Sequence, residues 1–313
     1  MIRQPGDYNS STKRFRMLIA GHPGIGKSTL ALSSPKPLWI DVDRGFDRVE
    51  AKHRKAFIQP ESYQELLDDL IPQNTDGFET LVFDTGGQMI ELMKPYVIRQ
   101  NAQNGQRDGS LSIKGYGAVA REFKRLMDHC FYTLNKNIIV LFHAKEEKDG
   151  DATRLRLLVE GSTKDNVWQP MDIGGFMEMI GDERTIGFSN CERYYAKGVH
   201  GINGVWKIPN TKNAPNDFVT RLFEKMSENI REETEYVEEQ KKLYETIMMD
   251  MGESIRQMQP EDIESVQNDI KEIKHVLTSE QELKAMFKAR LKEIGYHYDR
   301  EAKAYVADDR KSA

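Results

Sequence analysis

The first 143 residues alternate between short apolar runs and amphipathic segments. Because the apolar runs are only five to seven residues long and are bounded by polar residues, they predict β-strands. Four such runs are present: "RFRMLIA" (14–20), "PLWIDV" (37–42), "ETLVFDT" (79–85) and "NIIVLFH" (137–143). Runs this uniformly apolar are typical of strands that are buried on both faces between helices. The pattern therefore predicts an α/β fold with a mostly parallel central sheet.

The segments between these strands carry helical spacing. A helix is expected to begin at Ser28, and a second is expected over 62–71, where Ser62 can cap the first turn with Glu65. The segment 117–134 is predicted to be an amphipathic helix because its apolar residues share one face. These residues are Val119, Phe123, Met127, Cys130 and Leu134.

The pattern changes after residue 143. The next segment is predicted to form two strands joined at the turn "KDGD", and "RTIGFSN", "RYYAKGV" and "GVWKIP" are expected to be further strands. From Ser227 onward, three amphipathic helices are expected, followed by a small hairpin around "DREAK". We therefore predict two domains, a core that contains the sheet at 1–226 and a helical C-terminal extension at 227–313.

Composition narrows the class of protein. The 313 residues carry a net charge of −5, and the apolar runs fall well short of the ~18 residues that cross a bilayer. The amino-terminal residues lack the apolar stretch of a signal peptide, and two cysteines make no disulfide framework. A cytoplasmic protein without membrane association is expected. The acidic residues are concentrated after residue 226, and the near-neutral remainder gives no strong electrostatic case for nucleic acid.

The segment "GHPGIGKSTL" (21–30) contains the phosphate-binding pattern G-x-x-x-x-G-K-[ST], at Gly21, Gly26, Lys27 and Ser28. It follows a predicted strand and opens a predicted helix, so backbone N–H groups and the helix N-terminus can surround phosphate oxygens. Lys27 would reach the β- and γ-phosphates, and Ser28 would ligate Mg²⁺. The alternative is a glycine-rich turn with an incidental lysine. The predicted nucleotide-binding residues are Gly21, His22, Pro23, Gly24, Ile25, Gly26, Lys27, Ser28 and Thr29.

Three further residues complete a candidate hydrolytic site. Asp84 ends an apolar strand and is predicted to hold Mg²⁺ with Ser28. Asp41 and Asp43 follow another strand, and Asp43, nearer the tip, is predicted to be the base that orients water, with Asp41 structural. The alternative for Asp43 is a turn aspartate. His143 ends the fourth predicted strand and is either a sensor of the γ-phosphate or a loop residue.

These motifs resemble the RecA superfamily of P-loop ATPases. "GHPGIGKSTL" is similar to the phosphate loop of RadA-type proteins, "WIDVDRGFD" to the segment that activates water, and "TLVFDT" to the Walker B strand. The overall match is with phage-encoded RecA-like ATPases of single-strand annealing and recombination. The resemblance implies a RecA-like fold, hydrolysis of ATP with Mg²⁺, homo-oligomers and action on single-stranded DNA in the host cytoplasm. Lys197 in "KGVHG" is either the remnant of a trans-acting motif or an ordinary strand lysine.

Two segments are candidate contacts with single-stranded DNA. The segment 99–117 is expected to be a long loop and carries Arg99, Arg107, Lys114 and Tyr116. The segment 161–170 carries Lys164 and Trp168. Cations combined with aromatic rings suit phosphates and stacked bases, although each segment could equally be a solvated loop.

Three hypotheses on function follow. The first is a DNA recombination or replication ATPase that acts on single-stranded DNA, and its hydrolysis is expected to be slow or stimulated by DNA. The alternative is a nucleotide-dependent switch or scaffold that acts on a protein partner through the C-terminal helices, without binding DNA. A small-molecule kinase is ranked last, because "AKEEKDGDATR" lacks the arginine-rich character of a phosphate-covering lid.

Overall fold

The computed structural model describes residues 13–150, 152–159, 166–212 and 214–307. These residues divide into two compact units, one that ends at Ile230 and one that begins at Arg231. The first unit contains the phosphate-binding motif and the large sheet. The second unit is helical, with one small hairpin.

Nine strands of the described chain form the sheet of the first unit. Their spatial order is β3-β2-β4-β5-β1-β7-β8-β9, with β6 paired to β5. Every pairing from β3 to β7 is parallel, whereas β6, β8 and β9 pair in antiparallel fashion. The strands are β1 (Arg16–Gly21), β2 (Pro37–Asp41), β3 (Phe57–Ile58), β4 (Thr80–Asp84), β5 (Asn137–Asp149), β6 (Ala152–Leu157), β7 (Ile173–Ile180), β8 (Glu183–Gly187) and β9 (Val205–Lys207). The predicted mostly parallel α/β sheet is confirmed.

The central strands are buried on both faces, as their uniformly apolar sequences predicted. Along β1, Leu18 and Ala20 pack into one hydrophobic core, and Met17 and Ile19 pack into a second core on the other face. Successive side chains of a strand point to opposite faces, so a strand between two cores must be apolar at every position. This two-sided burial explains why the four predicted strands have no polar residue in their centres.

Helices of the first unit cover the sheet. They are α1 (Lys27–Ala31), α2 (Tyr63–Asp69), α3 (Pro72–Thr75), α4 (Gly86–Gln100) and α5 (Ile113–Asp128). Ser62 caps α2 as predicted, since its side chain accepts a hydrogen bond from the backbone N–H of Glu65. The predicted apolar face of α5 is buried from Val119 to Met127, and the helix continues as a π-helical turn, His129–Thr133, in which Cys130 is buried.

The structure corrects five expectations. β5 does not end at His143 but continues to Asp149, because its distal half pairs with β6 in the predicted hairpin. "RYYAKGV" is not a strand and forms one isolated bridge between Gly174 and Lys197. Ile173–Ile180 is a strand that was not predicted, because its two glycines are unfavourable for a strand. Gly174 is needed there, since a Cβ at this position would come within 2.1 Å of the Trp168 ring.

The fourth correction concerns 99–117, which is not a long irregular loop. Arg99 lies in the last turn of α4, and Lys114 and Tyr116 lie in the first turns of α5. The connection contains a 3₁₀ turn, Ala102–Asn104, and a bridge between Gly105 and Leu111. Gly115 is required there, since a Cβ would come within 2.1 Å of the Asn104 carbonyl oxygen. The residues between α4 and α5 are therefore a tight, hydrogen-bonded connection.

The helix predicted to begin at Ser227 begins at Phe218. This helix, α6 (Phe218–Gln257), starts in the first unit, where Val219, Leu222, Phe223 and Met226 are buried at helical spacing. In the second unit, the end of α6 packs with α7 (Ile263–Glu272), α8 (Ser279–Glu293) and a hairpin of β10 (Tyr296–Asp299) and β11 (Ala304–Ala307). The predicted second and third helices and the hairpin are confirmed. In the described part of the chain, every helix is too short or too polar to cross a bilayer.

Candidate nucleotide-binding site

The phosphate-binding motif connects the end of β1 to α1, in the middle of the sheet. Gly24 and Gly26 have φ values of +79° and +100°, which side chains rarely adopt. Gly21 is needed for a different reason, since a Cβ there would lie 2.9 Å from the Met177 carbonyl oxygen of β7. Each glycine therefore meets a backbone constraint of the loop.

The other predicted nucleotide-binding residues lie in the same loop. Pro23 and Gly24 are exposed at its tip, and His22 and Ile25 are partly buried and joined by a backbone hydrogen bond. Thr29 follows Ser28 in α1, and its carbonyl oxygen accepts a hydrogen bond from the Asn216 side chain. The tip of the loop is thus exposed, whereas its two ends are held by β1 and by the hydrogen bond from Asn216, which precedes α6.

Lys27 is buried and holds the loop together. Its ammonium group donates to the carbonyl oxygens of Gly21 and His22, at 3.0 and 2.9 Å, and lies 3.1 Å from Nδ1 of His143. Burial lowers the pKa of Lys27 to about 8, although Asp84 and Asp43 oppose this effect. Lys27 is therefore a cation in a poorly solvated position, where its interaction with a phosphate would be strong.

Asp84 is buried at the end of β4. Burial raises its pKa above the ordinary value, and the nearby Asp41 and Asp43 raise it further. A hydrogen bond with Ser28 and the charge of Lys27 act in the opposite direction. The negative charges of Asp41 and Asp43 therefore disfavour the charged form of Asp84, and the charge of Lys27 partly offsets this effect.

Asp41 and Asp43 have different roles in the structure. Asp41 is fully buried, accepts hydrogen bonds from the backbone N–H groups of Gly45 and Phe46, and also accepts one from Gln59. These contacts fix the turn after β2. Asp43 is partly exposed, and its own backbone N–H bonds to the Asp84 carbonyl oxygen, which joins the ends of β2 and β4. Asp43 is the carboxylate of the pair that can reach water, and its role as the base stays a prediction.

His143 pairs with Gly21 in the register of β1 and β5, and this places it beside the phosphate loop. Burial lowers the pKa of His143, and the positive charge of Lys27 lowers it further. A neutral ring can accept the hydrogen bond from Lys27 through Nδ1. Because β5 continues beyond His143, the residue lies within a strand and not in a loop.

Two arginines at the site escaped sequence reasoning. Arg48 donates to the carboxylate and the carbonyl oxygen of Asp43, at 2.8 and 2.6 Å. The guanidinium of Arg184, on β8, lies beside Gly26, with Nε 3.7 Å from the position of an ideal Cβ. Arg48 is close to Asp43 in sequence, so local spacing could have suggested it. Arg184 is distant in sequence, and no local pattern marks it.

The donor set fits a magnesium nucleotide. The loop offers backbone N–H groups and Lys27 to phosphate, and Ser28 and Asp84 offer the oxygen ligands that Mg²⁺ prefers. No cluster of three or more His, Cys, Asp or Glu side chains within the described residues is arranged to hold a metal ion by itself. Such an ion would therefore take most of its ligands from phosphate oxygens and water.

The fold and this loop define a P-loop NTPase. Comparison with known proteins places the chain more closely: residues 13–200 match the family of AAA domains, and the chain belongs to that family. Among solved structures, it is similar to an ATPase from the type III secretion system of pathogenic bacteria, with 13% identity and a TM-score of 0.35. That alignment covers 52% of this chain and 52% of the other. No curated protein matches the sequence.

We expect Lys27→Met to remove a pH dependence from the stability of the fold. The pKa of Lys27 falls from an ordinary 10.5 to about 8, so the unfolded chain binds more protons between those values and stability rises with pH across that window. The rise amounts to roughly 3 kcal/mol, and methionine, which carries no charge, should lack it. Chemical unfolding between pH 7 and 10 should therefore show the wild type gaining stability relative to the variant as pH rises.

Lys36→Met is the matched control, because Lys36 is an exposed lysine shortly after α1. The difference in stability between Lys36→Met and the wild type should change less between pH 7 and 10 than the difference for Lys27→Met. A difference between Lys27→Met and the wild type that stays constant over this range would contradict the burial of a charged Lys27.

Proposed function

We propose that this protein binds and hydrolyses ATP with Mg²⁺ and that it acts on single-stranded DNA in phage recombination or replication. The observation that carries the first part is the convergence of Lys27, Asp84, Asp43 and His143 at one edge of the sheet. In open α/β sheets, ligands bind at the carboxyl ends of the strands. The resemblance of the same motifs to RecA-like phage ATPases supports the second part.

The chain's own groups account for hydrolysis. The loop N–H groups and Lys27 would hold and polarise the terminal phosphates, and Mg²⁺, held by Ser28 and Asp84, would neutralise their charge. Asp43 would orient a water molecule and accept its proton at a carboxylate oxygen. Arg48 fixes the Asp43 side chain for this task. Neutral His143, hydrogen-bonded to Lys27, would respond to the γ-phosphate.

A cavity beside the β5–β6 hairpin supports contact with single-stranded DNA. It has a volume of about 640 Å³ and is lined by Trp168, Tyr195 and Phe176, together with Arg156 and Lys197. The Trp168 and Tyr195 rings meet edge to face, with centroids 4.8 Å apart. Aromatic rings beside cations suit stacked bases and backbone phosphates.

The cavity is linked to the nucleotide site by one hairpin. His143 lies on β5, and its carbonyl oxygen accepts a hydrogen bond from the N–H of Leu158, which directly follows β6. The lining residues Leu155 and Leu157 belong to β6. A shift of His143 with phosphate would therefore reach the cavity wall through few covalent and hydrogen bonds.

Not every predicted DNA contact supports this proposal. Trp168 lines the cavity, whereas Lys164 lies outside the described residues. Arg99 lies in α4, Arg107 in the connection that follows it, and Lys114 and Tyr116 in α5, and none of them lines the cavity. The Lys197 ammonium donates to the Met171 carbonyl oxygen at 2.7 Å, so this lysine is held in place locally. The cavity is thus our first choice for DNA.

Tyr195→Ala tests the cavity. Tyr195 is 44% exposed, so its removal should leave the fold intact, whereas the loss of one stacking ring should weaken DNA binding by about 5- to 150-fold. The measurement is the anisotropy of a labelled oligonucleotide with a non-hydrolysable ATP analogue. Tyr132→Ala, which removes an exposed aromatic ring on the π-helical turn, should bind like the wild type. Equal affinities for all three proteins would remove the cavity from the proposal.

The alternative function is a nucleotide-dependent switch or scaffold that acts on a protein partner. The middle of α6 favours it, because residues 231–243 include no buried position, and Tyr236 and Val237 are exposed there. The two functions differ in their dependence on DNA. A partner that is retained through residues 227–313 in nuclease-treated extract, together with hydrolysis that ignores DNA, would favour this alternative.

A further inference from the structure

A pocket in the second unit combines an apolar floor with a cationic rim. It has a volume of about 530 Å³ and lies between α7, α8 and the β10–β11 hairpin. Its floor includes Phe287, Leu291 and Tyr305, and the Phe287 and Tyr305 rings meet edge to face. Its rim carries Lys271, Lys284, Lys288, Lys292 and Arg300. We call this feature the cationic pocket.

The rim charges are not neutralised within the chain. Lys284 pairs with Glu280, but Lys271, Lys288, Lys292 and Arg300 have no ion-pair partner among the residues that the structure describes. This concentration of positive charge is unusual here, since residues 227–313 contain more acidic than basic residues. Lys284, Lys288 and Lys292 recur every fourth residue of α8 and so form one row. The pocket therefore suits an acidic occupant with an apolar anchor.

The same unit carries a surface with the opposite chemistry. Residues 231–239 of α6 contain five glutamates and one arginine, and we call them the acidic segment. Within it, Tyr236 and Val237 are 61% and 54% exposed. Glu232, Glu235, Tyr236 and Glu239 share one helical face, because they are spaced by three, four and seven residues. Tyr236 thus places an exposed aromatic ring among the glutamates of this face.

We propose that the acidic segment of one copy of this chain docks into the cationic pocket of a second copy. The two surfaces match in length: the lysine row of α8 spans about 12 Å, and the glutamates from 232 to 239 span about 10 Å. Tyr236 would enter the apolar floor while the glutamates meet the lysine row. Charge complementarity of this kind steers association and fixes register.

This contact joins two different surfaces, so it is heterologous. Each copy retains one unused pocket and one unused segment after the first contact forms, and assembly continues until a ring closes or a filament grows. The contact involves no residue of the nucleotide site. It therefore goes beyond the proposed function and does not depend on it.

Sedimentation velocity of the full-length chain without nucleotide tests the proposal. The pocket variant is Lys288→Glu with Lys292→Glu, and the helix variant is Glu232→Lys with Glu239→Lys. Both exchange good helix formers at exposed positions, so the fold should be retained. The control for the pocket variant is Lys52→Glu with Lys124→Glu, which makes the same change in charge as that variant but at exposed lysines of the first unit.

We expect the wild type and the control to assemble, more strongly at about 50 mM than at about 500 mM NaCl. Each of the two variants alone should associate at least tenfold more weakly. Their equimolar mixture should assemble like the wild type, because intact pockets meet intact segments and reversed pockets meet reversed segments in alternation. A chain that carries all four substitutions should assemble again, since its charges are reversed on both sides.

Several results would overturn the proposal. A monomeric wild type, or assembly that both variants leave unchanged, excludes this contact. If the wild type stays monomeric and the pocket variant instead loses affinity for an oligonucleotide or for a separate acidic protein, the pocket has another occupant. Lys27→Ala should assemble like the wild type, so a failure of the nucleotide site remains distinguishable from a failure of this contact.

Discussion

Lys27→Ala should reduce ATP hydrolysis by at least about 100-fold, both with and without single-stranded DNA. The variant removes the buried ammonium group that meets the phosphate loop and His143. Steady-state release of phosphate measures the effect. Lys36→Ala, which removes an exposed lysine shortly after the same helix, should hydrolyse ATP like the wild type. A Lys27→Ala protein with full activity would show that hydrolysis occurs elsewhere or comes from a contaminant.

The same assay decides between the two proposed functions. A rate that rises with single-stranded DNA and disappears in Lys27→Ala would connect the phosphate loop to nucleic acid. The next residues to test for contact with DNA would then be Tyr195, Trp168 and those of the β5–β6 hairpin. A rate of hydrolysis that is the same with and without DNA would favour the switch or scaffold that acts on a protein.

Asp43→Asn should lower the turnover number by about 10²- to 10⁴-fold, while affinity for a nucleotide stays within a few-fold. Asparagine keeps the shape of the side chain but cannot accept a proton from water. Single-turnover hydrolysis and the binding of a fluorescent nucleotide separate the two effects. An unchanged rate would return Asp43 to the alternative of a turn residue.

Asp41→Asn is the neighbouring control, and it should lower the stability of the fold and not primarily the turnover number. Asp41 is fully buried and accepts three hydrogen bonds, so the loss of its charge should cost about 1–3 kcal/mol of folding free energy. Thermal and chemical unfolding measure that loss. If Asp41→Asn folded normally and lost only turnover, the assignment of the two aspartates would have to be exchanged.

The central sheet could be predicted from the sequence because its determinants are local. Four apolar runs predicted β1, β2, β4 and the first half of β5, and the glycine spacing identified the turn from β1 to α1. Parallel strands end at the same edge, so the positions of Asp43 and Asp84 also followed from sequence. The misjudged elements have mixed local signals: β7 contains two glycines that neighbouring aromatic and branched side chains require.

The segment 99–117 shows that amino-acid composition alone did not predict its local structure. Its Gly, Asn and Gln residues indicate irregular structure, but a 3₁₀ turn, a bridge and the first turn of α5 use most of them. Asn104, for example, donates from its side chain to the Val97 carbonyl oxygen. Tertiary packing overrode the local preference of these residues.

The sequence by itself determined the class of this protein, since a P-loop depends on nearby residues of fixed type and spacing and on a strand and a helix at its ends. Only the tertiary structure decided what surrounds that loop. Arg184 reaches Gly26, Trp168 meets Tyr195, and five cations of α7, α8 and the hairpin share one pocket. These contacts join residues that are distant along the chain, and periodicity and motif spacing carry no information about such distances.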